Sequence, residues 1–306
     1  MLYLLARAGA GIIFLLPRPA ALALARFLGG SAYWLVARQR DKTLDNLRKA
    51  YHGKKSEAEI RELARKVFGH VTVTAVEMLQ FPKWNWEKVA ELVDASDAFK
   101  LYDSLLKEGK GIISITAHIG NWELLAGVFG LKGYQGIVLA RKIYYEPYNR
   151  WIVGLRQALK VPTVYRDEAS REILKRLAQN QIVGILPDQD IDSLKGEFVN
   201  FFGRPAYTPV APIRLALASG APIVPNFLIR QSGDRYKMIL GQVIRPVVGA
   251  SREEAVKKYT EEWMAQFEKV IQEYPEQWGW MHNRWKTKPP IIQKGPQKGN
   301  GNLILS

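Results

Sequence analysis

Apolar residues follow three different rhythms along this chain. From Leu2 to Val36 they are almost continuous, interrupted by Arg7, Arg18 and Arg26, by Pro17 and Pro19, and by the Gly29-Gly30 pair. From Lys54 to Gln80 they recur at helical spacing, through Ile60, Leu63, Val67, Phe68, Val71, Ala75, Met78 and Leu79, behind a Ser56-Glu-Ala-Glu59 capping box. From Gly111 onward the rhythm alternates. Short β-branched runs at Gly111–Ala117, Gly136–Ala140, Ile182–Leu186, Ile223–Ile229 and Tyr236–Leu240 predict strands. Helices are predicted at Asn121–Phe129, Tyr148–Leu159, Ser170–Gln179, Pro209–Leu217 and Ser251–Tyr274, the last behind a second capping box, Ser251-Arg-Glu-Glu254. This alternation predicts the α/β class: an open, mostly parallel sheet flanked by helices, with functional groups at the carboxyl ends of its strands.

The first segment is too broken for an ordinary spanning helix. Neither Leu2–Leu16 nor Ala20–Val36 offers the roughly 20 uninterrupted apolar residues that a span needs. Arginines set among apolar residues suit snorkelling to phosphates, so residues 1–40 read as a membrane-anchoring segment. A short tilted anchor and helices lying in the interface both fit; a buried core helix is the alternative. Arg38, Arg40, Lys42, Arg48 and Lys49 follow at once, which by the positive-inside rule places the rest of the chain on the cytoplasmic side.

Charge bears on the partners. The 306 residues carry a formal net charge of +15, with no acid before Asp41 and none after Glu276. That balance favours a polyanionic partner: an acidic protein, anionic lipid or a phosphorylated substrate. No nucleic-acid module and no basic stretch interleaved with aromatics is present, so nucleic acid is not an expected partner. Cysteine is absent, which excludes disulfides, thiolate zinc sites and a cysteine nucleophile.

Candidate chemistry centres on Gly111-Ile-Ile-Ser-Ile-Thr-Ala-His118-Ile-Gly-Asn-Trp-Glu123, a strand ending in a histidine with a carboxylate as the next helix begins. A carboxylate beside an imidazole fixes its tautomer and raises its basicity. His118 and Glu123 can meet only if His118 precedes the helix and Glu123 lies in its first turn, where free N–H groups face developing negative charge. A histidine satisfied by a local hydrogen bond is the bland alternative. No second histidine stands at ligand spacing, so no metal is expected. With no cysteine and no serine elbow, direct activation of an acceptor hydroxyl is the expected use.

The His118–Glu123 spacing resembles the H-x-x-x-x-[D/E] signature of the glycerolipid acyltransferase superfamily. Further blocks narrow the likeness: Ala140-Arg-Lys with Asn149, Asp188-Gln-Asp190, Phe198-Val-Asn-Phe-Phe-Gly203, Pro205-Ala-Tyr-Thr208, Gly220-Ala-Pro-Ile-Val-Pro225 and Pro275-Glu-Gln-Trp-Gly-Trp-Met-His-Asn-Arg-Trp-Lys286. Together they resemble the late acyltransferases of lipid A biosynthesis, the lauroyl and myristoyl transferases of lipopolysaccharide assembly. The resemblance runs from the N-terminus to about Pro290. Asn200, Trp280 and Trp285 depart from the family's usual residues, and those departures bear on the acceptor.

The resemblance implies an inner-membrane enzyme, its catalytic domain on the cytoplasmic side, that moves a fatty acyl chain from acyl carrier protein to a hydroxyl of a lipid A precursor. It implies His118 as general base oriented by Glu123. Arg141, Asn149, Arg156, Asp188, Asp190, Phe202 and Gly203 are implied as substrate-binding or oxyanion residues. Asp188 and Asp190 follow a strand and should face the same cleft, although carboxylates there also cap backbone. Phe198–Gly203 reads as acyl-chain wall or as core, and Trp278–Lys286 as membrane interface or as packing. No bound cofactor or metal is implied beyond the carrier's phosphopantetheine thioester. Expected partners are acyl carrier protein, a phosphorylated glycolipid and anionic lipid. Residues 41–290 form the expected acyltransferase domain and 291–306 a flexible tail. An acyltransferase for another glycolipid or an aminolipid is the near alternative; a non-catalytic protein that binds anionic lipid is the remote one.

Overall fold

A computed structural model describes residues 2–166, 169–247, 249 and 251–290; the expected tail at 291–306 lies outside them. The chain opens with four helices, α1 (Leu2–Leu15), α2 (Arg18–Leu35), α3 (Ala37–Ala50) and α4 (Glu57–Gln80). Pro17 separates the first two, because it can open a helix and cannot continue one. The capping box at Ser56 forms in both directions, Glu59 N donating to the hydroxyl and Ser56 N to the carboxylate.

The apolar N-terminal region is anchored to the body on one side. Ala21, Leu22 and Ala25 of α2 pack on Val73 and Val76 of α4. Gly29 lets the helices touch: a Cβ there would fall 2.7 Å from Gly69 Cα. Gln80 of α4 donates to the carbonyls of Ile13 and Leu16 at 3.0 Å, satisfying the end of α1. Among the described residues no single helix is long and apolar enough to cross a membrane.

Helices α5 (Trp86–Leu92) and α6 (Ser96–Leu106) flank strand β1 (Val93–Asp94). Then follow β2 (Ile112–Ile115), α7 (Trp122–Lys132), β3 (Gly136–Ala140), α8 (Glu146–Ala158), β4 (Thr163–Tyr165), α9 (Ala169–Ala178) and β5 (Ile182–Ile185). A hairpin of β6 (Gly196–Phe201) and β7 (Arg204–Pro209) leads to α10 (Ala211–Ser219), β8 (Ile223–Arg230), β9 (Tyr236–Leu240) and α11 (Arg252–Glu273). Seven strands form one sheet in the order β1-β9-β8-β2-β5-β3-β4. Every neighbouring pair is parallel apart from β8 and β9. The fold is the open, mostly parallel α/β sheet expected from the alternation.

Both faces of the sheet are covered, as the strand alternation requires. Ile113, Val183, Ile223 and Phe227 face α11, where Val256, Trp263 and Phe267 close one core. Their neighbours Ile112, Ile182, Val224 and Leu228 face the other way, onto Leu124 and Val128 of α7 and Tyr102 of α6.

Some elements differ from expectation. The five predicted strands and six predicted helices form with shifted ends, while β1, β4, α3, α5 and α6 were not predicted. The β6–β7 hairpin was also missed, because its turn residue Phe202 adopts φ 52°, a left-handed conformation that a phenylalanine does not advertise. The second capping box is half formed: Glu254 N donates to Ser251 Oγ, with no return bond from the Glu254 side chain.

Candidate active site

The site follows from strand register. Ile115 of β2 and Ile185 of β5 are parallel partners at the centre of the sheet. His118 and Asp188 each stand three residues beyond them, so both arrive at the same carboxyl edge. Asp188 Oδ1 lies 2.7 Å from His118 Nδ1, and its Oδ2 accepts from His118 N and from the Trp278 indole, each at 2.9 Å. An ionised carboxylate only accepts, so Nδ1 carries the ring proton and Nε2 keeps its lone pair. Asp188 is buried, while the His118 side chain is 23% exposed and reachable.

Burial pushes the His118 pKa down, but the Asp188 carboxylate, helped by the charge of Glu123, outweighs it and holds the ring above the ordinary histidine value. Burial likewise opposes the charge on Asp188, and the facing His118, through its ring and its backbone N–H, overcomes it and holds the carboxyl well below its usual range.

Glu123 does not orient His118. It forms a bidentate pair with Arg156 of α8, at 2.8 and 2.7 Å. The loop explains why. Gly120, at φ 60°, lies so close to β8 that a Cβ would sit 2.0 Å from Leu228 O. Asn121 then caps α7 by accepting from Leu124 N at 2.9 Å. The first turn of α7 therefore carries Glu123 toward α8, and the ring's carboxylate comes from a different strand.

His118, Glu123, Arg141, Asn149, Arg156 and Asp190 all line one cavity of about 910 Å³. Its walls also include apolar side chains, among them Ile152, Ile173, Ile185, Leu186 and Leu215, and further cations at Arg166, Arg214 and Lys286. Arg141 is exposed at this cavity. Asn149 holds its shape, accepting from Ile143 N at 3.0 Å and donating to the Tyr165 hydroxyl at 2.6 Å. Both oxygens of Asp190 are taken by Thr287, whose N–H and hydroxyl donate at 2.7 Å, so this carboxylate fastens the C-terminal segment.

Phe202 and Gly203 do not join the site. They form the tip of the β6–β7 hairpin, with Phe202 packed against Tyr51 and Trp280 and its N–H on Glu268. The indoles of Trp278, Trp280 and Trp285 are buried, which makes that segment core. Trp278 as a partner of Asp188, and the pair Gln189 and His282 beside the ring, were not assigned from sequence. The run Asp188-Gln-Asp190 directly after β5 was the available signal for Gln189, and the block Pro275–Lys286 was the one for His282.

The profile of the family described as bacterial lipid A biosynthesis acyltransferase matches residues 2–287. The chain belongs to that family. It is therefore an acyltransferase acting on lipid A or a related glycolipid. It is 27% identical over 294 residues to a lipid A biosynthesis lauroyltransferase of Escherichia coli K12, covering 94% of this chain and 93% of that one. It is 26% identical over 214 residues to a phosphatidylinositol mannoside acyltransferase of Mycolicibacterium smegmatis, covering 68% and 67%. A protein of the same description from Mycobacterium tuberculosis is 27% identical over 156 residues, where the match spans about half of each chain (49%).

Proposed function

We propose that the chain transfers a fatty acyl group from the phosphopantetheine thioester of acyl carrier protein to a hydroxyl of a phosphorylated glycolipid of the lipid A precursor class, with His118 as general base. The observation that carries this reading is the His118–Asp188 contact, with a reachable Nε2 beside a cavity that is part apolar and part cationic. The acceptor O–H gives its proton to His118 Nε2 as its oxygen attacks the thioester carbonyl carbon. The resulting imidazolium, facing Asp188, returns the proton to sulfur as the C–S bond breaks, leaving an ester and a free thiol. Arg156, fixed by Glu123, and the amino end of α7 supply positive potential on the same cavity wall. Arg141 suits an acceptor phosphate. No bound metal or cofactor enters this scheme.

Membrane docking belongs to the same reading. Leu15, Phe27, Leu35 and Tyr144 are among the most exposed large apolar side chains, and most such side chains among the described residues lie on α1, α2 or the turn before α8. Tyr3 of α1 packs edge-on against Tyr145 and Tyr148, joining these elements beside the cavity-lining Ile143 and Asn149. With the net positive charge, this face suits the anionic cytoplasmic leaflet of the inner membrane.

A phosphatidylinositol mannoside-like acceptor is the second reading, since the relatives named for it match at similar identity. Purified protein, acyl carrier protein charged with several chain lengths, and a panel of lipid A precursor and mannosylated phosphoinositide acceptors, read by mass, separate the two. Transfer to neither class overturns the proposal.

A further inference from the structure

Gln189 stands next to Asp188 and lines the cavity. Its amide nitrogen lies 3.3 Å from His118 Nδ1, 3.2 Å from His118 Nε2 and 3.2 Å from His282 Nε2. An atom nearly equidistant from both nitrogens of one imidazole cannot lie along either lone pair, because those directions diverge in the ring plane. The in-plane point between them is filled by the ring's own Cε1–H. The amide therefore sits over the face of His118, leaving the Nε2 lone pair open. An amide NH₂ has two hydrogens. One meets the imidazole face and the other is donated to His282.

To accept that bond, His282 must be neutral with its proton on Nδ1. Its surroundings favour this. Burial, then the charge of His118, with Arg284 and Lys42 adding and Asp188 opposing, lowers its pKa to about 4. Its position is also fixed. Its carbonyl accepts from the Asn46 side chain and from Arg284 N. The segment before it is stitched to the exit of β2, with Gly279 N donating to His118 O at 2.8 Å.

We propose that Gln189 and neutral His282 form a positioning clamp that fixes the plane of the His118 ring, so that Nε2 faces the cavity while Nδ1 stays on Asp188. The proposal rests on the reading of His118 as general base. Asp188 holds the ring at one atom and leaves it to rock about that bond; the Trp122 ring, 5.4 Å away between centroids, bounds that motion, and an amide on the imidazole face fixes it. Gln189 and His282 are thus positioning residues that act through His118.

A double-mutant cycle on the full-length protein tests this. Gln189→Leu and His282→Leu should each lower kcat on the order of 100-fold, the scale of a misplaced reacting group, with KM little changed. The double variant should be no worse than either, and His282→Gln, which still offers an acceptor, should restore most of the rate. Costs that multiply, or a large loss in Gln189→Leu with none in His282→Leu, overturn the clamp. A second readout needs no variant: ¹⁵N-histidine NMR of the wild-type protein at neutral pH should show His282 neutral and protonated at Nδ1. A proton on its Nε2 overturns the clamp even if the variants fail to fold. His118→Ala separates the two claims. If it retains transfer, the base reading fails; if it is inactive and the cycle multiplies, the clamp alone fails.

Discussion

Asp188, not Glu123, holds the Nδ1 proton of His118, at 2.7 Å, because Ile185 and Ile115 are register partners on adjacent parallel strands. Glu123, closer in sequence, is bound to Arg156 instead. One carboxylate sets the tautomer of the imidazole; the other sets the direction of a guanidinium.

Asp188→Asn should therefore be more damaging than its size suggests. Oδ2 receives two N–H groups, from His118 and Trp278, so the amide oxygen will take that position and turn the NH₂ toward Nδ1. The imidazole then adopts the wrong tautomer, with its proton on Nε2. kcat should fall on the order of 10⁴-fold, as in other histidine–carboxylate pairs, while the protein still folds. Steady-state transfer assays with thermal melts check this.

Glu123 and Arg156 should behave as a unit. Glu123→Ala and Arg156→Ala are expected to lower kcat/KM by similar factors, and the double variant should be no worse than the more damaging single one. A cycle in which the losses multiply would mean that the two act independently.

The buried carboxylate of Glu77 should dominate stability beneath the site. It pairs with Arg18 at 2.7 Å and Arg230 at 2.5 Å, and also accepts from Asn121 and the Tyr236 hydroxyl. Glu77→Ala leaves two guanidinium groups without their carboxylate, a change that costs about 3–5 kcal/mol. It also removes one of the two hydrogen bonds donated by the amide of Asn121, the cap of α7. Denaturant unfolding measures the first effect and transfer activity the second.

The pH profile should reflect the shifts in opposite senses. The base must be neutral, and the His118 pKa is raised, mainly by Asp188 against an opposing burial. The acid limb of kcat/KM should therefore inflect above the ordinary value of about 6.5, with activity rising with pH. In stability the sign splits. His70 and His282 are lowered to about 4, chiefly by burial, so their neutral forms support the fold fully above about 6.5 and lose that support as pH falls toward 4. Each group contributes at most about 3 kcal/mol. The raised His118 acts the other way, its contribution present at low pH and lost as pH rises through its folded pKa. A stability curve from pH 4 to about pH 8 should thus fall on the acid side.

Tyr144 offers a clean test of the membrane face, since it is fully exposed and holds no part of the fold. Tyr144→Ser with Leu4→Ser and Leu5→Ser should lower partition into anionic vesicles by at least about tenfold, from the 1.5–3 kcal/mol or so that each buried side chain contributes. Cosedimentation with vesicles of phosphatidylglycerol measures it.

Much of this was legible in the chain. The alternation after Gly111 led to the sheet, and the abrupt strand end led to His118, because both are local patterns. The partner of His118 was not legible, since it depends on which strand lies beside β2, a fact that appears only when Ile115 meets Ile185. A carboxylate five positions away looked nearer than one 70 positions away. Phe202 and Gly203 were misread for a related reason: an aromatic before a glycine fits a substrate wall as well as it fits a hairpin tip. Trp278 gave no sign that its indole N–H would reach Asp188.

The most direct test of the account is the rate of acyl transfer from acyl carrier protein to a phosphorylated glycolipid acceptor by His118→Ala, assayed beside wild-type protein with the same melting temperature and vesicle binding. The account predicts a loss of at least about 10³-fold in kcat. A variant that folds, binds membranes and transfers within tenfold of the wild-type rate would contradict it.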